Sequence, residues 1–343
     1  MSKETDAARN VSAHINPGNL LEVRNLEVNL NAVRGVVHAV RDINLAVRPG
    51  EIHGLVGESG CGKSMTAKAI MRLNDESTTI YGGQVNFEGV DLLSLKEKEM
   101  VKWRQSQIAM IFQDPETALN PLRTVGSQIA EKLRLNDVGK KEAYEKALSL
   151  LEAVGIHPAE QRIKAYPFEL SGGMLQRVSI AMALACDPRF LIADEPTTAL
   201  DVTVQLQILR LLKELQGRYE MAILLITHNF GVIAEICDRV SVMYAGIIVE
   251  YGSVTDIFHD ARHPYTVDLI ASIPKSGANQ SLPKSIPGTP PDLRERIVGC
   301  PYAPRCRYAE ERCRSEAPAL RKVSDGHRFA CHKDITALRG EEA

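Results

Sequence analysis

Between Gly57 and Ser64 the chain reads Gly-Glu-Ser-Gly-Cys-Gly-Lys-Ser, a glycine-rich turn closed by a lysine and a hydroxyl. Glycines at 57, 60 and 62 let successive peptide N–H groups turn inward around an anion, and the helix start that follows adds positive potential. Lys63 is placed to neutralise the outer phosphates of a nucleotide, and Ser64 offers a hydroxyl to Mg2+. Ser59 belongs to the same turn. Cys61 lies inside it, although this chemistry does not require a thiol. The apolar run Ile52 to Val56 predicts a buried strand before the loop, and the alanine- and methionine-rich segment from about Lys63 to Leu73 predicts a helix after it. That setting distinguishes a phosphate loop from a fortuitous glycine turn.

A second set of polar residues completes such a site. Asp194 and Glu195 follow the apolar run Phe190 to Ala193, so two carboxylates emerge at the end of a predicted buried strand. Asp194 can hold Mg2+ through its shell, and Glu195 can orient or deprotonate an attacking water. His228 follows another strand-like run, Met221 to Thr227, and is expected on the same sheet edge. Ser171, Gly172 and Gly173 open a predicted helix that runs through Val178 to Ala185: a serine cap and two glycines, but no lysine. This is a second, incomplete anion-binding helix end. It makes sense if two chains each complete the other's site.

The elements around these residues are legible in outline. Leu20 to Val47 alternates apolar and polar residues and predicts paired strands, ended by the Pro49-Gly50 turn. Lys140 to Val154 predicts a helix whose apolar stripe is Tyr144, Ala147, Leu148, Leu151 and Val154, with Gly155 as the stop. Strand-length apolar runs that alternate with helical segments favour an α/β fold, a parallel sheet covered by helices. After Ser272 the prolines at 274, 283, 287, 290 and 291 mark a linker to a cysteine-rich tail.

Composition excludes several classes. With 41 basic and 43 acidic residues in 343, the net charge of -2 provides no broad field for nucleic acid. No apolar run approaches the roughly 20 residues of a spanning helix. Met1 to Asn19 is polar, without the apolar core of a secretory signal, and reads as a flexible cytoplasmic tail. Cysteine is then read as cytosolic. Cys300, Cys306, Cys313 and Cys331, spaced C-x5-C-x6-C-x17-C, could hold an iron-sulfur cluster or zinc, or stay unligated. Cys186 and Cys237 read as buried packing residues.

Together these residues resemble the ABC-transporter ATPases, over about Leu20 to Gly252. Gly57 to Ser64 is similar to the family's Walker A loop, Gln113 in Ile111-Phe112-Gln113-Asp114 to its Q-loop glutamine, and Leu170 to Arg177 to its signature. Asp194 and Glu195 match Walker B and the catalytic glutamate, Ala199-Leu200-Asp201 the D-loop, and His228 the switch histidine. The resemblance implies a P-loop fold with a RecA-like core, an antiparallel β subdomain and a helical subdomain at about 114–187 that touches transmembrane subunits. It implies ATP and Mg2+, the metal held near Ser64, Gln113 and Asp194, and two ATPases sandwiching two nucleotides between Walker A and Ser171, Gly172 and Gly173. The family usually stacks adenine on an aromatic residue, at a spacing that here lands on Arg34, so Arg34 is expected in that role, with His38 as the alternate. Asn229 stands after His228 where the family often has Asp.

Asn120-Pro121, Val242 to Gly246, Arg262 to Thr266 and Gly299-Cys300-Pro301 look like the oligopeptide and dipeptide importer branch, with its nickel and glutathione relatives. This implies an ATPase domain over 20–262 and a C-terminal extension over 263–335 with a short tail at 336–343. It also implies a [4Fe-4S] cluster on the four cysteines, zinc being the alternative. The expected partners are a second, non-identical ATPase, with a second copy of the chain as the alternative, two permease subunits and an extracytoplasmic binding protein, on the cytoplasmic membrane face. An exporter or a soluble ABC ATPase is the alternative function.

Overall fold

A computed structural model describes residues 18–198, 200–273 and 285–335. Most of the N-terminal tail, the tail at 336–343, Ala199 and the linker prolines Pro274 and Pro283 lie outside the described residues.

The chain opens with β1 (Leu21–Ala32) and β2 (Gly35–Val47), paired antiparallel from Leu21 opposite Val47 to Ala32 opposite Gly35. β3 (Ile52–Val56) is buried at all five positions and feeds the phosphate loop and α1 (Lys63–Ile70). The helix stops short of the Leu73 expected from the sequence. Arg72 turns left-handed at φ 48°, and the Leu73 N–H reaches back to the Lys68 carbonyl (2.8 Å), closing the last turn. β4 (Thr79–Phe87) and β5 (Val90–Asp91) return to the hairpin and complete a four-stranded antiparallel sheet in the order β2-β1-β4-β5.

After α2 (Glu97–Ser106) and β6 (Ile108–Ile111) comes a run of helices: α3 (Pro115–Ala118), α4 (Val125–Arg134), α5 (Lys140–Ala153), α6 (Ala159–Arg162) and α7 (Gly172–Leu184). In α5 the buried face is Ala143, Ala147, Leu150 and Leu151, whereas Tyr144 is exposed and Leu148 half-buried. The packed stripe is rotated from the predicted one because α4 and α7 share one apolar cluster with α5 and set which side faces inward. Gly155 ends the segment at φ 73°, as the sequence predicts.

β7 (Phe190–Asp194), α8 (Val202–Tyr219), β8 (Ala222–Thr227), α9 (Phe230–Ile236), β9 (Arg239–Tyr244) and β10 (Ile247–Ser253) follow, then α10 (Val254–His259), α11 (Pro264–Ala271), α12 (Glu311–Ser315), β11 (Arg321–Lys322) and β12 (Arg328–Phe329). The second sheet runs β11-β12-β10-β9-β3-β8-β7-β6, parallel from β9 to β6 and antiparallel beyond β9. Among the described residues no helix is long and apolar enough to cross a membrane. Cys186 and Cys237 are only half-buried; the Cys186 sulfur accepts a hydrogen bond from Asn136 (3.0 Å).

The cysteine-rich segment is not a hanging tail, because β12 pairs with β10 and extends the main sheet. Fully buried Glu250 of β10 secures the join by accepting from the Arg262 N–H (2.6 Å), the His263 N–H (3.0 Å) and His327 Nε2 (2.9 Å). One carboxylate thus organises the turn into α11 and the approach to β12. Removing a shared buried acceptor leaves its donors to be re-solvated, at a cost of about 3 kcal/mol or more for this set. Glu250→Ala is expected to lower the melting temperature and to speed amide exchange in β12 and the Arg262–Thr266 turn before it does so in β3; uniform exchange would show that Glu250 does not hold this join.

Candidate nucleotide site

Four parallel strands end on one edge of the sheet, and each delivers a polar residue there. The phosphate loop follows β3, Gln113 follows β6, Asp194 is the last residue of β7 with Glu195 next, and His228 follows β8. The loop is seated by close backbone approach. A Cβ on Gly57 would stand 2.1 Å from the Met243 carbonyl oxygen, and one on Gly62, at φ 110°, 2.4 Å from that of Ala39. No other residue type fits either position. Lys63 is buried, with Nζ donating to the carbonyls of Gly57 (2.8 Å) and Glu58 (3.0 Å), so the ammonium is held inside the turn.

Ser64 Oγ donates to Asp194 Oδ1 (2.9 Å), which joins the loop to the end of β7. Burial pushes the Asp194 carboxyl up and the neighbouring Glu195 adds to this, against the Ser64 hydrogen bond. A cation beside it would relieve that cost, so Ser64 and Asp194 fit Mg2+ by their chemistry. Glu195 has a left-handed backbone at φ 47°, pinned by its N–H to the Ile226 carbonyl (2.9 Å). Such a conformation in a residue other than glycine persists only where the surroundings over-determine it. Its carboxylate accepts from Thr198 Oγ1 (2.8 Å), from His228 Nδ1 (3.2 Å) and from Gln113 Nε2 (3.4 Å). Burial raises this carboxyl, but Thr198, His228 and the Lys63 charge outweigh it and hold the group below its ordinary value. The result is an ionised carboxylate aimed at the phosphate loop.

Lys63, Ser64, Gln113, Glu195, Thr198 and His228 line a cavity of about 790 Å³ with Gly60, Gly62 and Ser59 of the loop, and Asp194 stands behind Ser64. Leu30, Val37, Ile286 and Leu293 give the same cavity an apolar wall. Arg34, expected on the adenine, does not line it. The β1–β2 hairpin carries Arg34 to its exposed turn, between Val33 and Gly35. His38 is also outside the lining. Its N–H bonds the Leu293 carbonyl (2.9 Å) and its ring the Asn29 side chain (2.6 Å). The thiol of Cys61 is buried, and burial pushes its pKa up, so it is a neutral packing group.

Ser171, Gly172 and Gly173 do not line the cavity of their own chain. Ser171 caps α7 through the Met174 N–H (3.4 Å), and Ser171 and Gly172 are exposed. Asp201 caps α8 and Asn229 caps α9, a role Asn and Asp fill alike.

In the extension, Cys300, Cys306, Cys313 and Cys331 line one small cavity together with His263, and all four are free of disulfides. Burial, with the neighbouring thiols adding to it, pushes Cys300 and Cys306 up to about 11, so these bare sulfurs are protonated. Four thiols converging on one cavity fit a thiolate-ligated metal group, whose charge would hold them ionised. Among the described residues no three His, Cys, Asp or Glu side chains are arranged to hold a single ion.

The family model described as "ABC transporter" matches residues 40–198, and that for the "Oligopeptide/dipeptide transporter, C-terminal region" matches residues 249–313. The chain is 52% identical over 316 residues to the probable peptide ABC transporter ATP-binding protein y4tR of Sinorhizobium fredii, covering 91% of this chain and 94% of the relative. It is 49% identical to the oligopeptide transport ATP-binding protein OppD of Escherichia coli, over 93% of this chain and 94% of that one. The chain belongs to the oligopeptide/dipeptide branch of the ABC-transporter ATP-binding proteins.

The fold of this ABC ATPase agrees with solved cassettes. The dimeric post-hydrolysis structure of the ATP-binding cassette MJ0796 bound to ADP and Pi aligns with TM-score 0.62 and 27% identity, over 68% of this chain and 98% of that one. The cbiO1 protein of Clostridium perfringens, part of the ABC transporter complex cbiONQ, aligns with TM-score 0.61 and 28% identity, over 71% and 92%. The chain is an ATPase of this family. Sequence reasoning did not find Thr198 or Leu293 at the site. Thr198 could have been sought three residues after Glu195, but Leu293 arrives from far along the chain and carries no local signal.

The Thr198 hydroxyl helps hold Glu195 low. Thr198→Val therefore raises the Glu195 pKa, and a reaction that needs the carboxylate loses rate on the acid side. The acid limb of the ATPase pH profile is expected to move to higher pH. An unmoved limb with a uniformly lower rate would show that Thr198 only packs.

Proposed function

We propose that this chain is the ATP-hydrolysing subunit of an ABC importer that takes up peptides, acting as a peripheral protein on the cytoplasmic face of the membrane. The observation that carries this reading is identity near one half to peptide-transport ATP-binding proteins over more than nine-tenths of the chain, through the C-terminal region. Its partners are two permease subunits, an extracytoplasmic binding protein and a second ATPase, non-identical by preference. The start of α7 supports the pairing: Ser171, Gly172 and Gly173 offer N–H groups at a helix end and do not line the nucleotide cavity of their own chain. The domain division is an ATPase unit over 20–262, containing a helical subdomain at about 114–187, and an extension over 263–335.

Within the site, Lys63 and the loop N–H groups hold the phosphates, and Ser64, Asp194 and Gln113 would hold Mg2+, which screens the phosphate charge. Glu195 takes a proton from, or orients, the attacking water, with His228 and Gln113 fixing the carboxylate. The adenine rests against the apolar wall of Leu30, Val37 and Leu293. The four cysteines hold a [4Fe-4S] cluster, zinc being the alternative; when bound, it would cross-link chain segments 300–313 and 331.

In the reconstituted transporter, Glu195→Gln is expected to bind ATP while hydrolysis falls about 100-fold or more, with peptide uptake lost in step. Lys63→Ala should weaken both binding and turnover. Normal turnover in either variant would overturn the site assignment, and hydrolysis coupled to a non-peptide cargo alone would overturn the substrate. Protein purified without air is expected to carry about four irons per chain together with acid-labile sulfide. One zinc per chain, or no metal at all, would remove the cluster.

A further inference from the structure

The phosphate loop is gripped from outside the ATPase strands. Arg305, in the extension and next to Cys306, has a side chain only 4% exposed and forms a two-point ion pair with Glu58 of the loop: Nη1 to Oε2 at 2.6 Å and Nη2 to Oε1 at 2.9 Å. Its Nε donates to the Pro287 carbonyl (2.8 Å), and Nη1 also reaches the Tyr244 hydroxyl (3.3 Å). The guanidinium carbon stands 5.8 Å from the ring centroids of both Tyr244 and Tyr302. Every face of the group is therefore engaged. A second extension residue holds the same loop position, since Tyr265 Oη accepts the Glu58 peptide N–H (2.8 Å). The peptide and carboxylate of Glu58 are thus both fixed by residues between 265 and 305, and its carbonyl accepts from Lys63. Extension residues Ile286 and Leu293 also line the nucleotide cavity.

We propose that Arg305 is a positioning residue for ATP: by gripping Glu58 it sets the shape of the phosphate loop, so nucleotide affinity depends on the docked cysteine lobe. The physical reason is the geometry of the pair. A planar fork on a carboxylate fixes direction as well as distance, and the buried Arg305 guanidinium is left without its partner if the carboxylate is removed. A loop whose N–H groups must point inward before ATP arrives benefits from such an external clamp, because ordering it on binding would weaken affinity. Because Arg305 adjoins Cys306, whatever holds the four sulfurs also holds the guanidinium in register. The inference rests on the ATPase activity and not on which group those sulfurs bind.

Equilibrium ATP binding and steady-state hydrolysis by the full chain in its transporter complex test this. Glu58→Gln and Arg305→Lys are each expected to weaken ATP binding about 5- to 30-fold, with the loss falling on KM rather than kcat. The double variant should bind no worse than the weaker single, and metal content per chain should match the unsubstituted protein. Cys306→Ala should weaken binding in the native background but add little on Glu58→Gln. Should the Arg305 or Cys306 variants not fold, Glu58→Gln alone decides, since Glu58 is partly exposed and the change keeps its volume. Binding within about twofold of native for Glu58→Gln, or losses that multiply in the double variant, would overturn the proposal. Neither result bears on peptide uptake or on cluster identity.

Discussion

The parallel pairing of β3 between β8 and β9 is the constraint on which the rest of the molecule depends. β3 has no exposed residue, so its register is set by packing on both faces. Parallel neighbours then end on the same edge, and the loop after β3 meets the carboxylates after β7 and the histidine after β8. Met243 of β9 supplies the carbonyl against which Gly57 rests, so the neighbouring strand also sets where the loop begins. A slip of one residue in this register would move Asp194 off Ser64 and dissolve the site.

Electrostatics within the site follow from unequal burial of two adjacent acids. Asp194 ends a buried strand and is pushed toward the neutral form, a cost that a cation would cancel. Glu195 is turned out by a left-handed backbone into a ring of donors that keeps it ionised. One chain step therefore separates a metal-type carboxylate from a base-type carboxylate. The hydrogen bond to Ile226 that maintains the turn comes from β8, so the same parallel pairing underwrites the chemical distinction.

The C-terminal extension is part of the machine's frame. β12 lengthens the main sheet, Glu250 collects donors from both sides of the join, and Arg305 carries the connection through a tyrosine cluster to the phosphate loop. A lobe that would be too small to bury its own core stands because it borrows an edge strand and an aromatic wall from the ATPase unit.

Local pattern was enough to determine the phosphate loop, the Asp194–Glu195 pair, the lysine-free helix start at Ser171 and the alternation that makes a parallel sheet, because each is written in contiguous residues. Those short motifs also carried the family, which the relatives bear out. The end of α1, the buried face of α5 and the position of Arg34 were decided elsewhere. A helix stop, a packed face and a hairpin tip depend on neighbours remote in sequence. The clamp on Glu58 by Arg305 is 247 residues long in sequence and one ion pair long in space. Nothing local at Arg305 marks it, since an arginine's partner is chosen by burial and distance, and only the tertiary structure supplies those.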